Sequence, residues 1–410
     1  MRLRLSLYWL FATGALGVFF PYFTLYLREN IGLGGQELGL VMAIPPLVGS
    51  IAQPLWGQLA DRSGSRTRTL SILALCAAFG YAGLALPHDF ASVAVATVLL
   101  AVFSTPLVPI AMSVTLGALS DQGPLAFGRV RVWGTLGFLV AVVGCPPLLG
   151  AVEAALGLRA EAGGPSRPGL HLIFLLGALL LIVASRMAAR LPGHASLSLR
   201  ASRGDLGALL RHRGYRKVLV FVFGSYLFLH GPMFFFPVYV RERGGSMEHL
   251  SYLWILMLSL EVPLMIYSGN LFERIGARAM VAIATFAGGL RWVVCALSPS
   301  LAFAAPVQLL HAFTVAGLIV GASLHIDATM PPALRSTAQA GLTMTGANLG
   351  GIASSTLCGA IFDRHGIDAI YLFGGVGAAL WALTSLLLLP GSSRSRVAPA
   401  EILASERGTR

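Results

Sequence analysis

Apolar residues in this chain come in long blocks rather than at alternating positions. The blocks lie at roughly 5–27, 37–60, 69–87, 90–119, 132–156, 170–189, 216–240, 249–272, 277–297, 301–326, 337–362 and 367–390. About 20 consecutive apolar residues carry a helix across the hydrocarbon core of a bilayer, and each block reaches or approaches that length. The pattern predicts about twelve membrane-spanning helices joined by short loops. One longer polar segment, from about 190 to 216, splits them into two groups of six. The expected architecture is an all-α membrane protein, with twelve transmembrane helices arranged as two pseudo-symmetric six-helix bundles. The bundles are expected over 1–190 and 216–390, with a cytoplasmic linker over 191–215 and a cytoplasmic tail over 391–410. The first block imitates a signal peptide, with Arg2 and Arg4 ahead of it. It is too long for one, lacks a small-residue cleavage site before Arg28 and contains Pro21, so it is expected to be a retained first span.

Composition narrows the class. Of 410 residues, 56% are hydrophobic and 11% charged, against about 25% charged in soluble domains. That shortfall excludes an ordinary soluble enzyme and a disordered chain alike. No loop holds a Walker A, H-E-x-x-H or comparable constellation, so neither enzyme chemistry nor a cofactor or metal is expected. The four cysteines, Cys76, Cys145, Cys295 and Cys358, each lie in an apolar block at no metal-like spacing. They read as small buried hydrophobes. The formal charge of +12 comes almost entirely from arginine, Lys217 being the exception. With both termini inside, twenty-two of the 29 basic residues fall on inner segments and six on outer ones, leaving Arg291 within a span. The excess therefore sets orientation rather than binding nucleic acid. The expected partners are the lipid bilayer, protons and a small-molecule substrate, for a monomer in the bacterial cell (inner) membrane.

The two halves repeat. GQLADRSGSR (57–66) follows the second span and GNLFERIGAR (269–278) follows the eighth. Gly57, Leu59, Arg62, Gly64 and Arg66 recur as Gly269, Leu271, Arg274, Gly276 and Arg278, and Asp61 recurs as Glu273. A looser echo, GAIFDRHG (359–366), follows the eleventh span. Repeats of six spans are a transporter signature, with the substrate site near the midplane between them. Gly57 is expected to allow close helix approach and Gly64 a tight turn. Asp61 is expected to face a helix N-terminus or an arginine. Together with Arg62, Arg66, Glu273 and Arg274 these form the expected gating set.

At GQLADRSGSR the sequence resembles the major facilitator superfamily, whose loop between helices two and three has this pattern. A second resemblance is to its lactose-permease and phenylpropionate-permease branch. The segments LEVPLMIYSGNLFERIG (260–276), LRWVV (290–294), LLHAFT (309–314) and FGRVRVWGTLGF (127–138) carry it. In that branch a helix-eight glutamate, a helix-nine arginine and a helix-ten histidine couple substrate to protons. The resemblance implies that role for Glu261, Arg291 and His311. Elementary chemistry agrees, because an ionisable group inside a membrane is costly unless partnered and a moving cation would change a carboxylate's proton affinity.

Two departures bear on the substrate. The second acid that the lactose permease carries after its histidine is here Thr314. Its helix-four acid, counted back from Arg131, is here Ser113. Arg131 is then expected to lack an acidic partner and to hold a carboxylate, with an aromatic body against Tyr22, Trp133 or Phe138. His230 and Asn348 are further candidate substrate contacts. The resemblance implies a secondary active transporter, a proton-coupled symporter importing an aromatic carboxylate such as a phenylpropionate-like acid. The alternatives are a sugar or nucleoside symporter, or an efflux antiporter of the same fold.

Overall fold

A computed structural model describes residues 1–119, 124–160, 164–191, 205–331 and 334–389. The tail over 391–410 and most of the linker fall outside the described residues; within the linker span, Asp205–Arg211 forms a short helix. The first bundle contains α1 (Arg2–Glu29), α2 (Gly35–Arg62), α3 (Arg66–Gly83), α4 (Phe90–Leu119), α5 (Pro124–Ala155) and α6 (Leu172–Ala189). The second contains α7 (Arg213–Phe234, continued by Phe236–Glu242), α8 (247–275), α9 (277–297), α10 (301–329), α11 (335–365) and α12 (Ile367–Leu388). Among the described residues, nine of these segments are long and apolar enough to cross a membrane on composition alone. The other three are more polar: α3 opens on Arg66 and Arg68, α8 carries Glu261, and α11 opens with Arg335, Ser336, Thr337 and Gln339.

The repeat read from the sequence is present in the backbone. Gly64 and Gly276 both take positive φ, 67° and 79°, and so do Gly32 and Gly244, 82° and 74°. These are left-handed turns that favour glycine, at matching loops of the two halves. The first helix of each bundle is interrupted at a corresponding depth, α1 between Phe19 and Phe23 around Pro21, and α7 at Phe235 ahead of Pro237. Proline lacks the N–H that would continue the helical ladder. The two interruptions meet: Phe20 and Phe234 are in ring contact, and Thr24 Oγ1 donates to the Phe234 carbonyl at 2.9 Å.

The near face carries Met1, the end of α6 and the start of α7; the far face is opposite. On the far face the bundles are locked. There α2 and α11 pack backbone to backbone: a Cβ on Gly39 would overlap the Ser355 carbonyl oxygen, and one on Gly35 would strike Phe362 and Gly359. Small residues at this spacing let helices approach closely. Asp363 of α11 closes the seam by accepting the backbone N–H groups of Gly35 and Gln36, at 2.6 and 2.7 Å, from the first turn of α2. A carboxylate there also meets the positive end of the helix dipole. Around this seam, Arg241 lies 2.7 Å from Glu29, and Arg167 reaches Glu153 at 3.0 Å and Glu248 of α8 at 2.8 Å.

Towards the near face the seam ends at mid-depth, where Asn348 Nδ2 donates to Ser50 Oγ at 2.9 Å. Pro54, one turn beyond Ser50, and Met344, one turn before Asn348, are both exposed. The bundles are therefore closed on the far side and part towards the near side.

The near-face loop corrects one expectation. A Cβ on Gly57 would meet nothing within 4 Å, so Gly57 does not serve close helix packing in this state. Gly64 makes the expected turn. Asp61 faces an arginine, Arg66 of its own loop, which donates at 2.7 Å and also reaches Ser113 of α4. Arg62 and Arg274 are exposed. The Glu273 side chain lies outside the described residues.

Gly39→Leu should prevent far-face closure while leaving each bundle folded. A cysteine introduced at Met42 should become reactive to an impermeant maleimide, and uptake should fall at least about tenfold, since one such overlap costs 1–3 kcal/mol. Gly57→Leu should leave labelling at the native level. Equal labelling in both variants would contradict the seam's role.

Candidate functional site

A cavity of about 250 Å³ lies at mid-depth where the interrupted α1 and α7 meet α8, α9 and α10. Phe20, Tyr226, His230, Met233, Trp254, Gly288, Arg291, Trp292, His311, Thr314 and Leu318 line it. A larger groove of about 790 Å³ runs along α3 and α4 past Phe79, Leu86 and Leu99, all exposed. It sits on the perimeter and carries none of the candidate chemistry. The central cavity is mostly aromatic wall with a polar end. Trp254 packs edge-on against Phe20 at 5.7 Å and lies 5.4 Å from Phe138 of α5, so both bundles contribute to that wall.

The polar end brings together the three charged residues expected from the sequence. Arg291 is only 2% exposed. Its Nη1 lies 3.1 Å from His311 Nδ1, and His311 Nε2 lies 3.7 Å from Glu261 Oε2. A guanidinium has only donors to offer. Nδ1 must therefore accept, which leaves the imidazole proton on Nε2, directed at Glu261. The 3.7 Å separation is longer than a hydrogen bond, so a small approach would complete the line. A second proton on His311 would set an N–H against the guanidinium donors. The group free to take up a proton is therefore Glu261, whose side chain is 17% exposed.

The winding of α10 changes around this cluster. Pro306–Leu310 is a 3₁₀ turn, His311–Thr314 is α-helical, and Val315–Gly321 is a π segment. Helix irregularities of this kind mark functional sites and hinges. A matching π segment, Met344–Gly350, lies in α11. There Gly346 and Gly350 pack against Val222 and Tyr226 of α7.

The expected substrate contacts divide. His230 lies at the cavity, stacked on Tyr226 and packed against Phe234, while Phe138 packs against the lining residue Trp254 without lining the cavity itself. Tyr22 is fully buried; its hydroxyl donates to the Val142 carbonyl at 2.7 Å and meets Ser251 of α8 at 2.9 Å, so it ties the bundles above the cavity. Asn348 likewise spends its amide on Ser50 across the seam. Trp133 is 39% exposed, on the face of α5 opposite Arg131, and the two do not meet.

Arg131 itself departs from expectation. Its guanidinium sits over the Trp9 ring at 4.5 Å, inside the first bundle. Ser113, expected to mark its missing partner, is engaged by Arg66 instead. The acid whose charge acts on Arg131 is Glu261, across the bundle interface. Among the described residues no carboxylate lies within 4.0 Å of Arg131, so Glu261 acts on it through its field and not as a salt-bridge partner. Counting residues along α4 and α5 could not reveal a charge supplied by α8. Met233, Met257 and Ser251 were also not legible as site residues, because a methionine or serine inside an apolar block carries no signal of its own. Gln308, whose amide oxygen lies 2.8 Å from Arg291 Nε, stood out only as a polar residue within a span.

Comparison with known proteins gives this geometry a lineage. The model of the MFS_1 like family matches residues 2–373. The maltose permease of Geobacillus stearothermophilus is 30% identical, over 94% of this chain and 93% of its own. A protein of Escherichia coli described as "Probable 3-phenylpropionic acid transporter" is 26% identical over 74% of this chain and 76% of its own. Among solved structures, the nucleoside transporter NupG superposes with a TM-score of 0.76 at 17% identity, over 95% of this chain and 99% of that one. The inward open xylose transporter XylE from E. coli gives 0.69 at 14%, over 96% of each chain; at such identity these two likenesses speak to fold alone. With twelve spans, a closed far seam and a mid-depth cavity between two repeated bundles, the chain belongs to the MFS_1 like family and is a multi-pass secondary transporter of the major facilitator fold, not an enzyme.

Proposed function

We propose that the protein is a proton-coupled symporter that imports a small neutral polyhydroxylated solute, a saccharide, across the bacterial cell (inner) membrane. The near face is the cytoplasmic one, as the arginine distribution predicts, and the conformation described is inward-open.

One observation supports this reading: from Arg291 and His311, which line the cavity, a line of contacts runs on to Glu261, whose carboxylate is 3.7 Å from His311 and has no nearer charged partner among the described residues. A carboxyl group keeps acceptor capacity for hydroxyl groups when protonated, so a neutral polyol can be bound together with the proton, while the ionised form repels an anion. Arg291 cannot serve as an anion clamp, because Gln308, His311 and two methionine sulfurs occupy its donors. The aromatic wall of Phe20, Tyr226 and Trp254 suits the apolar face of a sugar ring. A volume of about 250 Å³ lies just below the range of about 300–1,000 Å³ for drug-sized ligands, which fits a small solute. The maltose permease relative points the same way.

The aromatic-carboxylate reading stands second. It rests on Arg131, whose salt-bridge partners among the described residues include no carboxylate within 4.0 Å, and on the phenylpropionic acid relative. In the favoured reading Arg131 serves as the cross-bundle cation for Glu261. The gating set Asp61, Arg62, Gly64, Arg66, Glu273 and Arg274 is assigned to the near-face hinge, with the protein working as a monomer.

Purified protein in liposomes with an alkaline interior should accumulate radiolabelled maltose or glucose uphill, and a protonophore should abolish the accumulation. Accumulation of 3-phenylpropionate with no sugar uptake would select the second reading. Glu261→Gln should eliminate uphill uptake at normal expression, since the proton carrier that draws on about 2.3 kcal/mol per 100 mV is gone. Undiminished accumulation in that variant would remove Glu261 from the coupling step.

A further inference from the structure

Arg291 presents an unsolved charge. It is a permanent cation, 2% exposed, at membrane depth, and among the described residues no carboxylate lies within 4.0 Å of it. A buried charge that lacks a counter-ion is strongly unfavourable. Its surroundings supply softer compensation. The guanidinium lies 4.0 Å from the Trp292 ring centroid and 5.6 Å from that of Phe236. Its Nη2 faces Met257 Sδ at 3.3 Å and Met233 Sδ at 3.7 Å. Ring faces attract cations and thioether sulfur is a weak acceptor. Among the described residues, the one oxygen hydrogen-bonded to the group is Gln308 Oε1, 2.8 Å from Nε.

The orientation of that amide is determined by its other bonds. Gln308 is fully buried, and its Nε2 donates to the Ala304 carbonyl at 2.8 Å and to Cys295 Sγ at 3.3 Å. A flipped amide would aim its NH₂ at the guanidinium N–H and lose both bonds. The 3₁₀ turn at Pro306–Leu310 carries this side chain immediately ahead of His311.

We propose that Gln308 is the positioning residue of the proton switch. Its neutral amide holds the Nε edge of Arg291, so that Nη1 meets His311 Nδ1 and the unbalanced positive charge acts through His311 on Glu261. This deepens the symporter reading and rests on it for its role in transport. The neutrality of Gln308 is the essential feature. A carboxylate at the same place would pair with Arg291 and cancel the field. An apolar side chain there would free the guanidinium to turn towards Glu261, the nearest acid beyond His311. The other charged or titratable groups facing the cluster among the described residues are Arg131 from α5, Tyr226 and His230 from α7, Cys295 on α9 and Tyr371 from α12. They are common to every variant compared.

The two substitutions should act with opposite sign. In infrared pH titrations of the purified protein, with the Glu261 carboxyl band assigned by its loss in Glu261→Gln, Gln308→Glu should move the midpoint up by about one pH unit, tenfold in proton affinity. Gln308→Leu should move it down by a similar amount. The pH at half-maximal uptake in liposomes should follow both shifts. Shifts of the same sign, or none, would overturn the proposal. If Gln308→Glu fails to reach the membrane, Gln308→Leu decides alone, and an unmoved or upward midpoint overturns it. The infrared midpoint needs no substrate. A native protein that titrates as expected but shows no gradient-driven uptake would count against the symporter reading and leave the Gln308 assignment standing.

Discussion

A permanent cation has to be held where there is no water, and much of the second bundle is organised around that need. Arg291 cannot deprotonate to escape its surroundings as a lysine could. Four helices contribute to its cage: Met233 and Phe236 from the α7 region, Met257 from α8, Trp292 from α9, and Gln308 with His311 from α10. None of these groups carries an opposite charge. The guanidinium is stabilised by dispersed, polarisable contacts, and its charge remains available to act on Glu261. A direct salt bridge would have held the ion more firmly and silenced it.

That charge lies beside the surface where the two bundles meet. Glu261 feels Arg131 from the first bundle, while His311 brings it the influence of Arg291 from the second. A change in the separation of the bundles alters the first interaction directly. In the proposed mechanism, a proton or a solute at Glu261 would in turn alter what holds the bundles together at mid-depth. This reciprocity is what linkage requires of coupled sites. The mechanical side is supplied by α2 and α11, whose far halves touch backbone to backbone through Gly35, Gly39 and Gly359 and whose near halves diverge beyond Ser50 and Asn348. A glycine seam closes without side-chain interdigitation, so it can part and re-form with little repacking.

The far-face ties use the repeat economically. Glu29 and Arg241 sit at matching ends of α1 and α7 and pair with each other. Pseudo-symmetric positions lie opposite one another across the axis that relates the bundles, so a difference in sign between repeats becomes an interbundle bond. Asp363 belongs to the loosest echo of the loop motif, yet it caps α2 across the seam. The better-matched Asp61 pairs only within its own loop, with Arg66.

Span number, the division into two groups of six, the left-handed turns at Gly64 and Gly276, and the convergence of Glu261, Arg291 and His311 were all legible in the sequence. Each follows from a local or periodic property: runs of apolar residues, glycine in a tight loop, or an ionisable group too costly to leave alone in a membrane. Contacts between the bundles were not legible. They join residues hundreds of positions apart, and which face of a span turns inward depends on packing rather than on composition. Counting along the chain therefore set Arg131 against Ser113, whereas folding set it over Trp9, with the charge that acts on it arriving from α8. The same limit hid the use of Tyr22 and Asn348 as interbundle ties, the exposed position of Trp133, and the amide of Gln308. A sequence specifies which groups need partners in a membrane; only the tertiary structure decides which partner each one finds.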